Sequence, residues 1–379
     1  MTPHILTALV ALLGAARLGA AARGVIAWGG PQYGDYIVSM KIPPEANSGV
    51  WAVTGGSYHS MAIYGPERRV IEWPPVSEKP FWPGTTRAND TYRDQPPGLT
   101  NVTAIAGGQY HSLALQRNGK VVMWTRELTG DNKTDDLPDF IKRANVRAIS
   151  AAKSGGTFSL FLLANGSVFE WPPRNYSEPS YPGANYTKYI VPRPDGLLLS
   201  GRVKAIAAGY DHCLALLRNG TVIAWGGRRG QTQATVSAQF RSVRVPPAAQ
   251  ANVTAIAAGL ALSMALLNNG SIVVWGSLFA APDSSYGGCG SAGCNSPPPP
   301  KPPPRPPAPA RSPPTPPPLL SGVRAISAAA NVAVVLLPGG RVFAWGPTYF
   351  GLYLHVIPTE AQSGVVGIGT GATWWLAIK

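Results

Sequence analysis

The chain has 379 residues, of which 45% are hydrophobic, with 43 glycines, 39 prolines and a formal charge of +14. That apolar content supports a packed core and excludes a disordered chain, while so much glycine and proline requires many turns and one biased segment. Lys and Arg are spread along the sequence in runs no longer than two, which describes a basic exterior rather than a nuclear-localisation run or a specific nucleic-acid motif.

The first element is the apolar stretch ILTALVALLGAA at 5–16, too short to span a bilayer and followed by Ala20-Ala21-Ala22. It has the form of a secretory signal segment, so residues 1–22 are expected to be a leader and 23–379 the folded unit. Next comes GVIAWGG at 24–30, a single strand ending near Trp28. From there the chain repeats itself, as in VTAIAGGQYHSLALQRNGKVVMW (102–124), VKAIAAGYDHCLALLRNGTVIAWG (203–226) and VTAIAAGLALSMALLNNGSIVVWG (253–276).

Each copy opens on a valine (Val50, Val102, Val146, Val203, Val253, Val323, Val365) and closes on a tryptophan (Trp28, Trp73, Trp124, Trp171, Trp225, Trp275, Trp345). Period-2 alternation within SLALQ and KVVMW indicates half-buried strands. Asn-Gly at 118–119, 165–166, 219–220 and 269–270 marks tight hairpins, because both turn positions need positive φ; Gly339-Gly340 can do the same. The openings and closings are out of phase: the chain starts on a closing half and stops on an opening half, VVGIGTGATWWLAIK. The expected architecture is therefore all-β, a seven-bladed β-propeller with one blade closed by the N- and C-terminal strands. Fourth, outer strands are expected in YIVSMKIPP (36–44), YIVPRP (189–194), FRSVRVPP (240–247) and LHVIP (354–358), each stopping at proline.

Between the sixth and seventh units lies an insert, 284–318, Gly/Ser-rich and then proline-rich, with 15 prolines in the 22 residues of 297–318. Such a tract adopts extended, hydrated polyproline II. It is similar to the hydroxyproline-rich glycoproteins of plant and algal walls; a ligand for an intracellular proline-binding domain is the competing reading.

The unit V-x-A-I-A-A-G-x-x-H-S-L-A-L-x-x-N-G-x-V-x-x-W-G resembles the regulator of chromosome condensation repeat. It is also similar to the plainer repeat of the propeller-type β-lactamase inhibitory protein in the same superfamily. The resemblance covers about 24 to 379 apart from the proline insert, and it implies the propeller fold. It does not fix a function, since this fold hosts nucleotide exchange, ubiquitin-ligase and pure binding roles.

Candidate chemistry is sparse. His59, His111 and His212 share one repeat position, which holds Phe158, Leu262, Val332 and Trp374 in the other copies, so it reads as a packing position. The acidic residues form no HExxH and no helical pair, so no catalytic, cofactor-binding or metal-binding residue is assigned. Trp82, in PFWPG, is the best candidate for an exposed contact with a partner. Cys213 replaces a repeat serine and reads as a buried thiol, while Cys289 and Cys294 could form a disulfide in an oxidising compartment.

Nine of the fifteen asparagines stand in N-x-[ST], where chance gives about two. The hairpins account for Asn165, Asn219 and Asn269, and Asn101 and Asn252 sit where strands begin. Asn89, Asn132, Asn175 and Asn185 remain as glycosylation candidates. Leader, sequons and proline tract together predict a non-enzymatic, monomeric protein, secreted or bound to the cell wall, that binds a protein or glycan through its loops. It would have no cofactor, membrane span or specific nucleic acid. The alternative is a guanine nucleotide exchange factor for a small GTPase in the nucleus or cytoplasm.

Overall fold

The computed structural model describes residues 23–29, 32–33, 36–37, 41–57, 59–73, 96–109, 111–125, 137–153, 158–171, 201–210, 212–226, 244–260, 262–276, 320–329, 332–346, 357–372 and 374–379. Strand β1 (Val25–Gly29) comes first, then a two-stranded ribbon of β2 (Gln32–Tyr33) and β3 (Tyr36–Ile37). Blade 1 is β4 (Val50–Gly55), β5 (Ser60–Tyr64) and β6 (Arg69–Trp73); blade 2 is β7 (Val102–Gly107), β8 (His111–Gln116) and β9 (Val121–Thr125). After a short helix α1 (Asp139–Arg143), blade 3 is β10 (Val146–Ala151), β11 (Ser159–Leu163) and β12 (Val168–Trp171). Blade 4 is β13 (Val203–Ala208), β14 (His212–Leu217) and β15 (Val222–Gly226); blade 5 is β16 (Val253–Ala258), β17 (Leu262–Leu267) and β18 (Ile272–Gly276). Blade 6 is β19 (Ala325–Ala329), β20 (Val332–Leu336) and β21 (Val342–Trp345). Blade 7 takes β22 (Gly367–Thr370) and β23 (Trp374–Ile378) from the C-terminus and β1 from the N-terminus.

The first strands of the seven blades follow one another around a ring, and β22 packs back against β4. At the seam β1 pairs antiparallel with β23 in the register Val25↔Ile378 and Trp28↔Trp375. Gly24 and Lys379 exchange backbone hydrogen bonds at 2.8 and 3.0 Å, which seals the joined blade. Blade 7 also approaches blade 1 so closely that a Cβ on Gly369 would lie 2.6 Å from the Val53 carbonyl oxygen. The ring is closed.

The hairpins do more than turn the chain. The Asn Oδ1 of each Asn-Gly turn accepts from the backbone N–H two residues on: Lys120, Ser167, Thr221 and Ser271, at 2.9 to 3.1 Å. The following glycine takes φ near +80°, as with Gly119 at 82° and Gly220 at 84°. Asn118, Asn165, Asn219 and Asn269 do not have positive φ, so only one of the two positions expected to need it does. Hairpin carbonyls then accept from the first residue of the next blade: Val146 N–H to Gly119 O (3.0 Å), Val253 to Gly220 (3.2 Å), Val323 to Gly270 (2.9 Å) and Val365 to Gly340 (3.0 Å). The seam repeats the bond, Val50 N–H to Arg23 O at 2.9 Å. One face of the ring is thus a chain of turn-to-strand links, called here the hairpin face; the first-to-second-strand loops form the opposite, loop face.

Apolar side chains fill the spaces between neighbouring blades. Trp124 of blade 2, for example, is buried with Met61, Ile63 and Val70 of blade 1. Burying such an aromatic removes about 150–250 Å² from water, so the repeat tryptophans, buried in every copy except at the half-buried Trp171, carry much of the inter-blade energy.

The outer strands differ from expectation. Among the described residues each blade has three strands, and Tyr36–Ile37 pairs with Gln32–Tyr33 rather than extending a blade. Residues 189–194, 240–243 and 354–356 lie outside the described residues. Pro43, Pro246 and Pro358, at the ends of three of the four expected segments, begin a helical turn that leads into the next blade. Ala46, Ala249 and Ala361 donate back to Pro43, Pro246 and Pro358 at 2.9 to 3.0 Å and are fully buried, and Ile141 of α1 does the same to Pro138 at 2.8 Å. Proline suits this place because its fixed φ starts a turn and it has no N–H to lose.

Candidate functional site

The residues singled out for binding or modification, namely Trp82, Asn89, Asn132, Asn175, Asn185, Cys289 and Cys294, lie outside the described residues, as do the leader (1–22) and the insert (284–318). Cys213 is a buried thiol whose Sγ donates to Glu170 Oε2 at 4.0 Å. Among the described residues no helix is long and apolar enough to cross a membrane, and no cluster of three His, Cys, Asp or Glu could hold a metal.

The histidine position obeys a rule that runs from blade to blade. His59 Nε2 lies 3.0 Å from Ser112 Oγ, His111 Nε2 2.6 Å from Ser159 Oγ, and His212 Nε2 3.0 Å from Ser263 Oγ. In every case the partner is a serine on the second strand of the following blade. Where the following blade has no serine the histidine is replaced by an apolar residue: Phe158 shares a core cluster with Cys213, Leu262 with Ala333, and Val332 with Trp375. The exception is the seam, where Trp374 precedes Ser60 around the ring. Ser60 Oγ and Trp374 Nε1 are both buried without a hydrogen-bond partner.

Glu72 extends the first of these contacts. It accepts from the Ser112 hydroxyl at 3.0 Å and from Trp124 Nε1 at 2.7 Å, so Ser112 has given away its only proton and His59 must supply Nε2–H to it. A serine held in this way is a donor to a carboxylate rather than a nucleophile. His111 is kept neutral, because burial pushes its imidazole down to about 4. The histidines are inter-blade fasteners. Their partner is a side chain of the next repeat.

Lys153, in the irregular third repeat, crosses the ring. Its Nζ donates to the Thr370 carbonyl at 2.7 Å, joining blade 3 to blade 7, which is not its neighbour. Thr370 Oγ1 in turn donates to Ala328 O at 3.1 Å and lies 2.9 Å from Ser327 Oγ of blade 6. Burial brings the Lys153 ammonium down to about 8, so it is still charged at neutral pH. This tie fixes the loop-face mouth of the channel.

On the hairpin face the described charges are mostly cations at exposed turn positions: Arg117, Arg218, Arg341 and Lys379 at hairpins, with Arg147 and Arg324 at the starts of first strands. Acids there are engaged by neighbours: Glu67 by Arg69 at 2.6 Å and Asp139 by Arg143 at 3.3 Å. Glu45 and Glu360 stand in the proline-led turns. Beside the first hairpin, Arg68 lies 4.3 Å above the Trp51 ring, and Trp51 Nε1 donates to Gly65 O at 2.8 Å.

A ring of seven blades carrying this repeat can be compared with known proteins. The family model of the regulator of chromosome condensation (RCC1) repeat matches residues 203–228, the heart of blade 4. The structure of Prp20p from Saccharomyces cerevisiae superposes on 95% of this chain and 92% of its own, with a TM-score of 0.58 at 19% identity. The chain is a seven-bladed propeller whose repeat is similar to that of RCC1 proteins.

Among curated relatives, the RCC1 domain-containing mitochondrial protein RUG3 of Arabidopsis thaliana is 29% identical over 164 residues, 40% of this chain and 35% of its own length. Guanine nucleotide exchange factor SRM1 of Saccharomyces cerevisiae is 26% identical over 155 residues, 36% of this chain and 32% of its own. Human probable E3 ubiquitin-protein ligase HERC4 is 29% identical over 137 residues, 34% of this chain and 13% of its own. The matches span about a third or less of each of these relatives. They overturn the expectation of a secreted or wall-associated glycan binder, because one of these relatives is a guanine nucleotide exchange factor.

Five of the nine sequon asparagines, those already set aside in the sequence, serve the backbone. Asn165, Asn219 and Asn269 satisfy their own turns, and Asn101 and Asn252 adopt φ of 57° and 59°, a region asparagine tolerates better than most residues.

Proposed function

We propose that this RCC1-like propeller is a protein-docking scaffold of the exchange-factor kind, acting on a small GTPase. The observation that carries this reading is the match to guanine nucleotide exchange factor SRM1 over 36% of this chain. Exchange makes and breaks no covalent bond. It needs a rigid surface that binds the nucleotide-free GTPase more tightly than the loaded one, so that docking and nucleotide binding oppose each other. A ring closed at its seam and tied across its channel by Lys153 supplies that rigidity. The reading assigns the protein to the nucleus or cytoplasm, as a monomer, without cofactor.

The test is capture on immobilised full-length protein. A small GTPase stripped of nucleotide with a chelator is expected to be retained, and excess GDP is expected to release it. Equal retention of the stripped and GDP-loaded forms of every GTPase tried would rule the reading out.

A further inference from the structure

The first two hairpins of the ring bring together a group of side chains that the exchange reading does not use. Arg68 has φ of 53°, a left-handed conformation that an arginine adopts only when its surroundings hold it there. Its guanidinium carbon lies 4.3 Å from the centre of the Trp51 ring, which is itself pinned by the hydrogen bond to Gly65 O. The hairpin of the next blade is joined to this turn through the backbone: Arg117 N–H donates to Asn101 O at 2.9 Å, Asn101 N–H to Glu67 O at 2.8 Å and Val102 N–H to Arg68 O at 3.1 Å. The Arg68 guanidinium is held below the ordinary arginine value, first by burial and then by Arg117. The neighbouring acid, Glu67, is occupied by Arg69.

Asn118, which follows Arg117 in its hairpin, accepts the Lys120 N–H with its Oδ1 and has two amide hydrogens to offer. The corner sets the Arg68, Arg69 and Arg117 guanidinium groups against the Glu67 carboxylate, so it is net positive and rich in paired N–H donors. Such a set fits a planar, two-oxygen anion.

We propose that the Arg68–Arg117 corner is a carboxylate-docking site for a Glu/Asp-rich segment of a partner protein, with the other hairpin cations as its attracting field. A protein segment fits better than nucleic acid for two reasons. The Trp51 face, which could have stacked a base, is already covered by Arg68. The hairpin face also interrupts its cations with Glu45, Asp139 and Glu360, so it offers separate cationic points rather than the unbroken track that a phosphate backbone follows.

The experiment uses the full chain and a fluorescent oligoglutamate peptide, read by anisotropy at low salt. Arg117→Glu is expected to weaken binding about tenfold, whereas Arg341→Glu, with the same change in net charge on a distant blade, is expected to cost about twofold. Both positions are exposed hairpin sites, and unchanged melting temperatures confirm that the fold is kept. Equal losses for the two variants would mean a diffuse basic field and overturn the site. Preferential binding of a charge-matched oligonucleotide, lost in Arg117→Glu, would assign the corner to nucleic acid and overturn it as well. Absence of peptide binding to the unaltered protein would have the same force.

Discussion

Removing residues 24–30 is expected to unfold or aggregate the protein. This segment is the third strand of blade 7, paired along its length with β23, and its loss leaves that ladder unpaired. It also strips away Trp28, which is buried with Val25, Trp375 and Ile378 in the cluster that joins blades 6, 7 and 1. Trp28→Ala alone should cost roughly 3–5 kcal/mol, the usual range for a buried aromatic, measured by denaturant unfolding. In an open solenoid a terminal half-repeat touches one neighbour and its removal merely frays an end. In a ring it holds both termini, so the whole structure depends on it. A truncated protein that stays monomeric with an unchanged melting curve would show that the seam does not bear the load assigned to it.

The second large effect is expected at the histidine fasteners. His111→Leu leaves the buried Ser159 hydroxyl without its 2.6 Å partner and should cost about 1–3 kcal/mol. Adding Ser159→Ala should recover most of that loss, because blades 5 and 6 already use the leucine–alanine combination at Leu262 and Ala333. Strong coupling between the two changes is the expected result of the double-mutant cycle. Acid sensitivity gives an independent readout. The folded His111 titrates near 4 and the unfolded one near its ordinary value of 6.5, so the unfolded chain binds more protons between these limits. Stability should therefore fall as pH drops from 6.5 towards 4, by about 3 kcal/mol in total, and the His111→Leu chain should lack that contribution. Additive single mutants with the same acid slope would refute the fastener.

The sequence carried the architecture because each blade is built from short-range chemistry. Asn-Gly turns, period-2 strands and a closing tryptophan are local signals, and the phase offset between Val50 and Trp28 already placed the seam. The proline-led turns at Pro43, Pro246 and Pro358 were less legible, since proline ends an outer strand and starts a helical turn with equal ease. The histidine rule was present in the sequence but ran between repeats: His111 is explained only by Ser159, 48 residues away in the next copy. Lys153 could not be read at all, because its partner Thr370 is brought near by ring closure. Function was the least legible. The proposed partner site depends on Arg68, which stands where the other hairpins have a positive-φ glycine, and the asparagines that serve turns and strand starts also satisfy the sequon pattern.

Nucleotide release tests the functional account most directly. Small GTPases loaded with a fluorescent GDP analogue are mixed with the full-length protein and excess unlabelled GDP, and the fluorescence decay is followed. The account predicts that release from at least one of them accelerates by about tenfold or more, equivalent to lowering its barrier by about 1.4 kcal/mol. Unchanged release from every GTPase tested, with the propeller folded and in excess, would contradict it.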